Sequence, residues 1–377
     1  MQLIRNAGLL LVLLPLTAVA GVLPEDRADL MYHYYDGGGV TIDGPSLLVR
    51  KKFAEKYAVS ASYYIDMVSS ASIDVITTAS PYDEERTQYG VGFEYLRGKV
   101  TYAASFSNSS ENDYEADTAS LSISQDMFGD QTTVALSFTR GWDDVTRRGD
   151  PLFADSVDRR IYGVDVSQIA TKRLVLGFAF ETITEEGFLN NPYRQVRFVD
   201  SDAALGYSYE FERYPRTRTG NAFSARARWY LPYRAALQAD YRFYNDTWEI
   251  QSNTAEFAYT HPLDDEWTFD VHYRFYDQNA AEFYADLFPR ADFQNFLARD
   301  KELAAMQSHT LGFGVAYEFK PARFEFLGKA AINLKYDRIR FDYDDFRDLR
   351  PTGLAPGTEP LYTFDADVIR LFFSGWF

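Results

Sequence analysis

Charged side chains recur at alternating positions between residues 222 and 277, and most of the residues between them are apolar. Successive side chains of a β-strand point to opposite faces, so these charged residues share one face of several strands. Rows of arginines and carboxylates across a pore would orient polar solutes and set ion preference. The candidates for this interior face are Arg226, Arg228, Asp240, Arg242, Tyr244, Glu256, Asp270, His272, Arg274 and Tyr276. A network of paired charges that only fills the interior is the alternative interpretation.

The same alternation predicts a second interior face on the strands from 87 to 181, where most of the residues are small and uncharged. Its members are Gly90, Gly92, Glu94, Thr101, Ser105, Ser107, Thr133, Ser137, Gly163, Asp165, Ser167, Gly177 and Glu181. A charged wall that faces a smoother one suits a solute path or a barrel filled by a plug.

The four histidines give no indication of a metal site or of an enzyme. His33, His261, His272 and His309 do not stand at metal-ligand spacing with one another, and the chain has no cysteine. Of the four, His272 alone is expected to point inward, among Asp270 and Arg274, as a member of a charge network. A hydrolase would need a Ser or Asp activated by His272 or His33, and there is no Gly-x-Ser-x-Gly motif. Walker, dinucleotide and haem motifs are also lacking, so we expect no enzyme and no cofactor.

Acidic residues are concentrated in connections between the predicted strands. They are Asp83 to Glu85, Glu111 to Asp117, and the group Asp342, Asp344, Asp345 and Asp348. Oxygen-rich loops can bind calcium, but none of these matches an EF-hand, so hydrated loops are the favoured interpretation. A further use is to attract cations to a pore mouth. The formal net charge of -17, from 55 acidic and 38 basic residues, argues against a nucleic-acid partner.

Segments of about ten alternating residues repeat along the whole chain, and aromatic residues reach 17%. Examples are Val59 to Met67, Tyr89 to Tyr95, Val100 to Phe106, Leu174 to Phe180, Leu237 to Phe243 and Leu311 to Phe319. Short turns and longer connections follow them in alternation, which is typical of transmembrane barrels. We therefore predict an all-β, antiparallel transmembrane barrel of about 16 strands with long extracellular loops.

Two of the longer connections carry patterns of their own. Within 186–220, Leu205, Tyr207, Tyr209 and Phe211 alternate like a strand, and a hairpin there would raise the count to 18. Within 280–304, Phe283, Leu287, Phe293, Phe296, Leu297 and Leu303 have loosely helical spacing. This spacing predicts a short helix, either a structural cover or a gating or binding element at the mouth.

Both ends of the chain indicate export to the bacterial outer membrane. Arg5, the apolar stretch Ala7 to Leu16 and the small residues Ala18 to Ala20 form a signal peptide over 1–20, which leaves 21–377 as one barrel domain. Ile369, Leu371, Phe373, Gly375 and Phe377 share one face of the last strand. Phe377 is therefore expected to act as the signal for the barrel-assembly machinery, with outer-membrane lipid and lipopolysaccharide as the barrel's surroundings.

Four segments resemble a known family. They are Met31 to Val40, Asp66 to Ser72, Asn190 to Arg194 and Tyr230 to Arg234. The chain resembles a family of proteobacterial outer-membrane proteins whose domain has no known function, and the resemblance covers nearly the whole mature chain. It implies an exported barrel, no catalytic residue, and a link to periplasmic redox proteins.

The function that we expect is a pore or substrate-specific channel for a small polar or charged solute. The alternative is a scaffold barrel that docks or houses a redox or other periplasmic partner. An outer-membrane hydrolase ranks last.

Overall fold

The computed structural model describes residues 23–70, 82–321 and 326–377. The expected signal peptide, the middle of the connection 69–84 and part of the turn at 320–323 lie outside these residues. The strands of the barrel wall are β1 (Arg27–Gly37), β2 (Val40–Phe53), β3 (Tyr57–Ser70), β4 (Tyr82–Arg97), β5 (Val100–Ser110), β6 (Tyr114–Met127), β7 (Thr132–Thr146), β8 (Ala154–Thr171), β9 (Leu174–Gly187), β12 (Thr217–Tyr230), β13 (Ala236–Asp246), β14 (Gln251–Pro262), β15 (Trp267–Gln278), β16 (Met306–Phe319), β17 (Lys329–Arg347) and β18 (Leu361–Trp376).

These strands form one closed antiparallel barrel of 16 strands. Each strand pairs with the next along the chain, β9 pairs with β12, and β1 pairs with β18 to close the wall. Closure leaves no free sheet edge within the bilayer, where an unpaired backbone group would have no water to bind. The predicted all-β barrel of about 16 strands is therefore confirmed.

The alternating residues in 186–220 form a hairpin, but it does not enter the wall. Its strands, β10 (Gln195–Val199) and β11 (Tyr207–Phe211), make a separate two-stranded sheet. On β10 the neighbouring residues Val196 and Arg197 are both fully buried. A strand with lipid on one face could not bury both, so the wall keeps 16 strands.

The barrel has two unlike ends. At the turn end lie the start of β1, the end of β18 and short connections such as 98–99 and 263–266. At the loop end lie the longer connections 188–216, 279–305 and 348–360, together with tight turns such as 247–250. Several loops are shorter than the sequence suggests, because strands extend into them. The connection expected over 36–44, for example, is a two-residue turn at Gly38 and Gly39, both with positive φ.

One face of the wall carries large exposed apolar side chains at every second position. Examples are Val91 and Phe257, at 58% and 60% exposed. Aromatic rings stack near the turn end, with Trp267 and Tyr317 centred 4.6 Å apart. The last strand shows the same alternation. Its residues Ile369, Leu371, Phe373 and Phe377, which were predicted to share one face, are all exposed. An apolar band bordered by aromatic rings is what a barrel presents to lipid.

The helix predicted within 280–304 is reduced to one turn of 3₁₀ helix at Lys301–Leu303. Pro289 interrupts the segment. Its apolar residues also serve two different clusters, because Phe283 and Leu303 pack on the barrel rim while Phe288 packs on the β10–β11 hairpin. One helix face could not satisfy both. Among the described residues, no helix has the length and apolar character needed to cross a membrane.

Candidate functional site: a charged interior row and the cap above the barrel

A lateral row of four charged residues crosses the wall from β12 to β15. Arg226 lies directly opposite Asp240, Asp240 opposite Glu256, and Glu256 opposite Arg274. Arginines therefore flank two adjacent carboxylates. All four lie on the face opposite the exposed Leu237, Tyr241, Phe257 and Tyr273. Such a row sets a transverse field along the inner wall.

Two arginines of the predicted charged wall pair with carboxylates of the predicted smooth wall. Arg226 binds Asp165, and Arg242 Nη2 lies 3.3 Å from Glu181 Oε2. The Arg242 pair is substantially exposed, at 40% and 38%, so solvent screens it. The two faces are thus joined where β9 meets β12. Arg228 lies opposite Gln238 in the ladder.

His272 and Asp270 each lie over a glycine of the neighbouring strand. His272 is opposite Gly312 and Asp270 is opposite Gly314. The Nε2 atom of His272 lies 3.3 Å from Asp337 Oδ1, and Asp337 also binds Arg370. A Cβ atom on Gly312 would lie 2.0 Å from the His272 ring and 2.3 Å from Asp337. The missing side chain at 312 is what lets this pair meet.

We expect Gly312→Ala to destabilise the barrel by about 1–3 kcal/mol, the usual penalty for forcing atoms into a packed site. The added methyl group must push His272 away from Asp337, since both lie within 2.3 Å of its position. Urea unfolding of the refolded protein measures the effect. Gly141→Ala is the matched control, because its Cβ would meet nothing closer than 3.7 Å. Equal midpoints for the two variants would contradict the prediction.

A second interior cluster was not predicted from the sequence. The buried His33 Nε2 lies 2.8 Å from Asp66 Oδ1, and its ring stacks on Tyr64. Arg86 Nη1 lies 3.7 Å from Asp66 Oδ2. The expectation that only His272 among the histidines points inward is therefore wrong. Leu30 and Tyr32 are exposed on the outer face of β1, and successive side chains of a strand alternate between faces. The sequence could therefore have placed His33 inside.

Three loops pack together at the loop end, and we call residues 188–216, 279–305 and 348–360 the cap. Its centre is Arg197, whose side chain is fully buried and binds two carboxylates. Arg197 Nη1 donates to Glu359 Oε1 at 2.5 Å, and its Nη2 donates to Asp286. Arg299 Nη2 lies 2.9 Å from Asp286 Oδ1. These four residues come from all three cap loops, so the network holds the loops together.

Apolar contacts fix the cap to the barrel rim at several places. Leu189, Tyr214, Phe283 and Leu303 of the cap pack with Val145 and Val157 of β7 and β8 and with Trp248 and Ile250 of the turn 247–250. Ala304 packs with Tyr343, Phe346 and Tyr362 of β17 and β18. Tyr114 of β6 also packs against the first of these clusters, so the cap contacts the rim along the arc from β6 to β18.

Two buried carboxyl groups in the cap favour their neutral form. Burial, followed by the nearby charge of Asp300, raises the pKa of Glu212 to about 7. The same two causes raise the pKa of Glu302 to about 7. Both groups hold their protons more tightly inside the cap than in water.

One comparison with known proteins bears on the family and another on the fold. The family model described as "Protein of unknown function (DUF3570)" matches residues 154–336, which confirms the resemblance to a family without a known function. No curated protein matches the sequence. A solved structure described as "Bacterial polysaccharide outer membrane secretin" aligns with a TM-score of 0.50 at 10% identity, over 94% of this chain and 100% of that chain. That likeness shows the fold alone.

Two further solved structures align less well. A FadL homologue from Pseudomonas aeruginosa has a TM-score of 0.46 at 11% identity, over 94% of this chain and 91% of that chain. The toluene transporter TodX of P. putida has a TM-score of 0.43 at 10% identity, over the same shares.

Proposed function

We propose that this chain, a barrel whose residues 154–336 match a family of unknown function, is a gated outer-membrane channel for a small polar or charged solute. The observation that carries the proposal is the row Arg226, Asp240, Glu256 and Arg274 on the inner wall of a barrel whose loop end bears the cap. A 16-strand barrel is wide enough for an aqueous path unless loops obstruct it.

In this proposal the row provides selectivity and the cap provides the gate. A solute that carries both signs of charge, or a strong dipole, would align across the row, because its arginines flank its carboxylates. The excess of acidic residues, 55 against 38 basic, would raise the local concentration of cations at the mouth. Lipid and lipopolysaccharide would surround the apolar band, and Phe377 would serve the assembly machinery.

Conductance across a planar bilayer tests the proposal. We expect the wild-type barrel to conduct weakly or in brief openings, and Arg197→Ala to conduct steadily with cation preference in a salt gradient. Reversing a charge in the row, with Arg274→Glu, should then increase the cation preference. Arg213→Ala, a cap arginine whose side chain is 43% exposed, should behave as wild type.

If the Arg197→Ala barrel does not conduct although its cap is shown to be open, the channel proposal is wrong. It would favour instead the scaffold that docks a redox or other periplasmic partner, and copurification from the periplasm would then identify that partner.

A further inference from the structure

Three carboxylates from separate parts of the sequence meet at the loop end, on the rim formed by β4, β5 and β6. Glu84 comes from β4, and Glu111 and Asp113 come from the turn between β5 and β6. One oxygen from each lies within 4.8 Å of the others. Like charges repel at such distances, so a proton or a cation between them would stabilise the arrangement.

Asp113 has a buried side-chain oxygen that is available to bind an ion. The residue is only 6% exposed, and its buried Oδ1 has no hydrogen-bond partner among the described residues. An unpaired buried carboxylate oxygen is rare in native proteins, because it has lost its water and gained nothing in return. The main chain at this position is firmly held, since the amide of Thr146 donates to Asp113 O at 2.8 Å.

The neighbouring groups do not neutralise the cluster. Arg86 Nε is 3.9 Å from Glu111 Oε1, but this guanidinium also binds Ser109 Oγ at 2.9 Å and Gln88 Oε1 at 2.8 Å. The amide of Asn112 approaches Glu84 Oε1 at 3.4 Å.

We propose that Glu84, Glu111 and Asp113 form a calcium site. Calcium accepts oxygen ligands at 2.3–2.6 Å in irregular geometry, so two of its ligands can stand up to about 5.2 Å apart. The three oxygens fit within that span. Magnesium holds its ligands at 2.0–2.1 Å, demands a regular octahedron and keeps its water, which suits this open set of three carboxylates less well. Water molecules would complete the calcium shell.

The bound ion would connect the rim to the cap. Tyr193, a cap residue, has its hydroxyl beside the Asp113 carboxylate. The same hydroxyl accepts a hydrogen bond from the amide of Arg148 at 2.7 Å. Calcium at the three carboxylates would remove their mutual repulsion next to Tyr193. It would therefore hold the segment 188–216 against β4 to β6.

Terbium luminescence tests the site on the refolded full-length barrel. Tb³⁺ takes the place of Ca²⁺ and emits when a nearby tyrosine is excited, and Tyr193 and Tyr114 adjoin the carboxylates. We expect saturable emission that Ca²⁺ displaces with a Kd on the order of 10⁻⁴–10⁻³ M, as in extracellular calcium modules, and that Mg²⁺ displaces more weakly. Calcium should also raise the Tm, because it binds the folded state alone.

Glu111→Gln and Asp113→Asn should each weaken displacement by Ca²⁺ at least about tenfold, through the loss of ligand charge. Glu115→Gln is the control, because this residue is exposed in the same acidic segment. Unsaturable emission, or affinity unchanged in both variants, would overturn the site. A Glu111→Gln barrel that is more stable than wild type, with no calcium response in either, would show a shared proton instead. None of these results depends on whether the barrel conducts.

Discussion

Replacing Arg197 by alanine will release the cap from its closed position. The side chain is fully buried between Asp286 and Glu359, so its removal leaves Glu359 buried without its counter-charge and Asp286 with Arg299 alone. Breaking a buried ion pair on one side costs about 3–5 kcal/mol. That energy corresponds to a change on the order of 10²- to 10³-fold in the equilibrium between closed and open cap.

Limited trypsin digestion of the refolded barrel measures this equilibrium. Cleavage within the cap follows the population of the open form when closing is faster than cleavage. The matched control is Arg213→Ala, which also removes one tryptic site from the cap. Its partner Asp292 is 73% exposed and lies 2.7 Å away. An exposed pair of this kind contributes at most about 1 kcal/mol, so the control should be cleaved nearly as slowly as wild type.

A rescue experiment separates lost charge balance from lost packing. In the double variant Arg197→Met and Glu359→Gln, one positive and one negative charge are gone, the side-chain volumes are roughly kept, and the Arg299–Asp286 pair remains. Replacing a buried ion pair by neutral groups is often neutral or stabilising. Protection should therefore return toward the wild-type level. Equal cleavage of Arg197→Ala and Arg213→Ala would show that the Arg197 network does not hold the cap.

The barrel could be predicted from the sequence because the pattern that specifies it lies in neighbouring residues of each strand. Alternation with period 2 decides which side chains face lipid, and a slip of one residue would turn every apolar side chain inward. Leu237, Tyr241 and Phe313, for example, could be assigned to the outer face from this alternation alone. The same parity indicated the charged row, and the register then aligned Arg226 with Asp240 and Glu256 with Arg274.

The cap could not be predicted in this way, because its contacts join residues far apart in the chain. Arg197 reaches Asp286 across 89 positions and Glu359 across 162. No periodicity connects such residues, and the helical spacing within 280–304 indicated a helix where the chain instead divides its apolar residues between two clusters. The acidic segments show the same limit. Glu84 and Glu111 lie in separate loops by sequence, yet their carboxylates meet across neighbouring strands.

Raising the pH through neutrality will loosen the cap. Glu212 and Glu302 have pKa values of about 7 in the closed cap against 4.5 for an ordinary glutamate, so the closed form binds their protons more tightly. Their contribution to closure is fully present below pH 4.5 and is lost as the pH rises through 7. A shift of this size is worth roughly 3 kcal/mol. Since both carboxyls face Asp300, we assign that order of magnitude to the pair together.

The charged and polar neighbours of these carboxyls define the sign of the effect. Arg194 binds Asp300 and faces both glutamates, Lys301 adjoins Glu302, and the Tyr214 hydroxyl donates to Glu212 Oε2 at 2.7 Å. The amide of Arg299 donates to Glu212 Oε1 at 2.8 Å. These groups favour the ionised form, yet burial and Asp300 outweigh them. Deprotonation therefore adds negative charge beside an existing buried one.

The chain has no cysteine, so paired spin labels can follow the cap without interference from native thiols. Labels on Ser201→Cys, at the tip of the hairpin, and Ser110→Cys, on the rim, should give a narrow distance distribution at pH 5 and a broader or longer one at pH 8.5. The double variant Glu212→Gln and Glu302→Gln mimics the protonated carboxyls and should stay narrow at both values. Asp202→Asn, an exposed carboxylate of the same segment, should respond as wild type. Identical wild-type distributions at the two pH values would mean that Arg194 and Lys301 compensate the ionised glutamates, and that the cap is held by charge balance at Arg197 and not by protons.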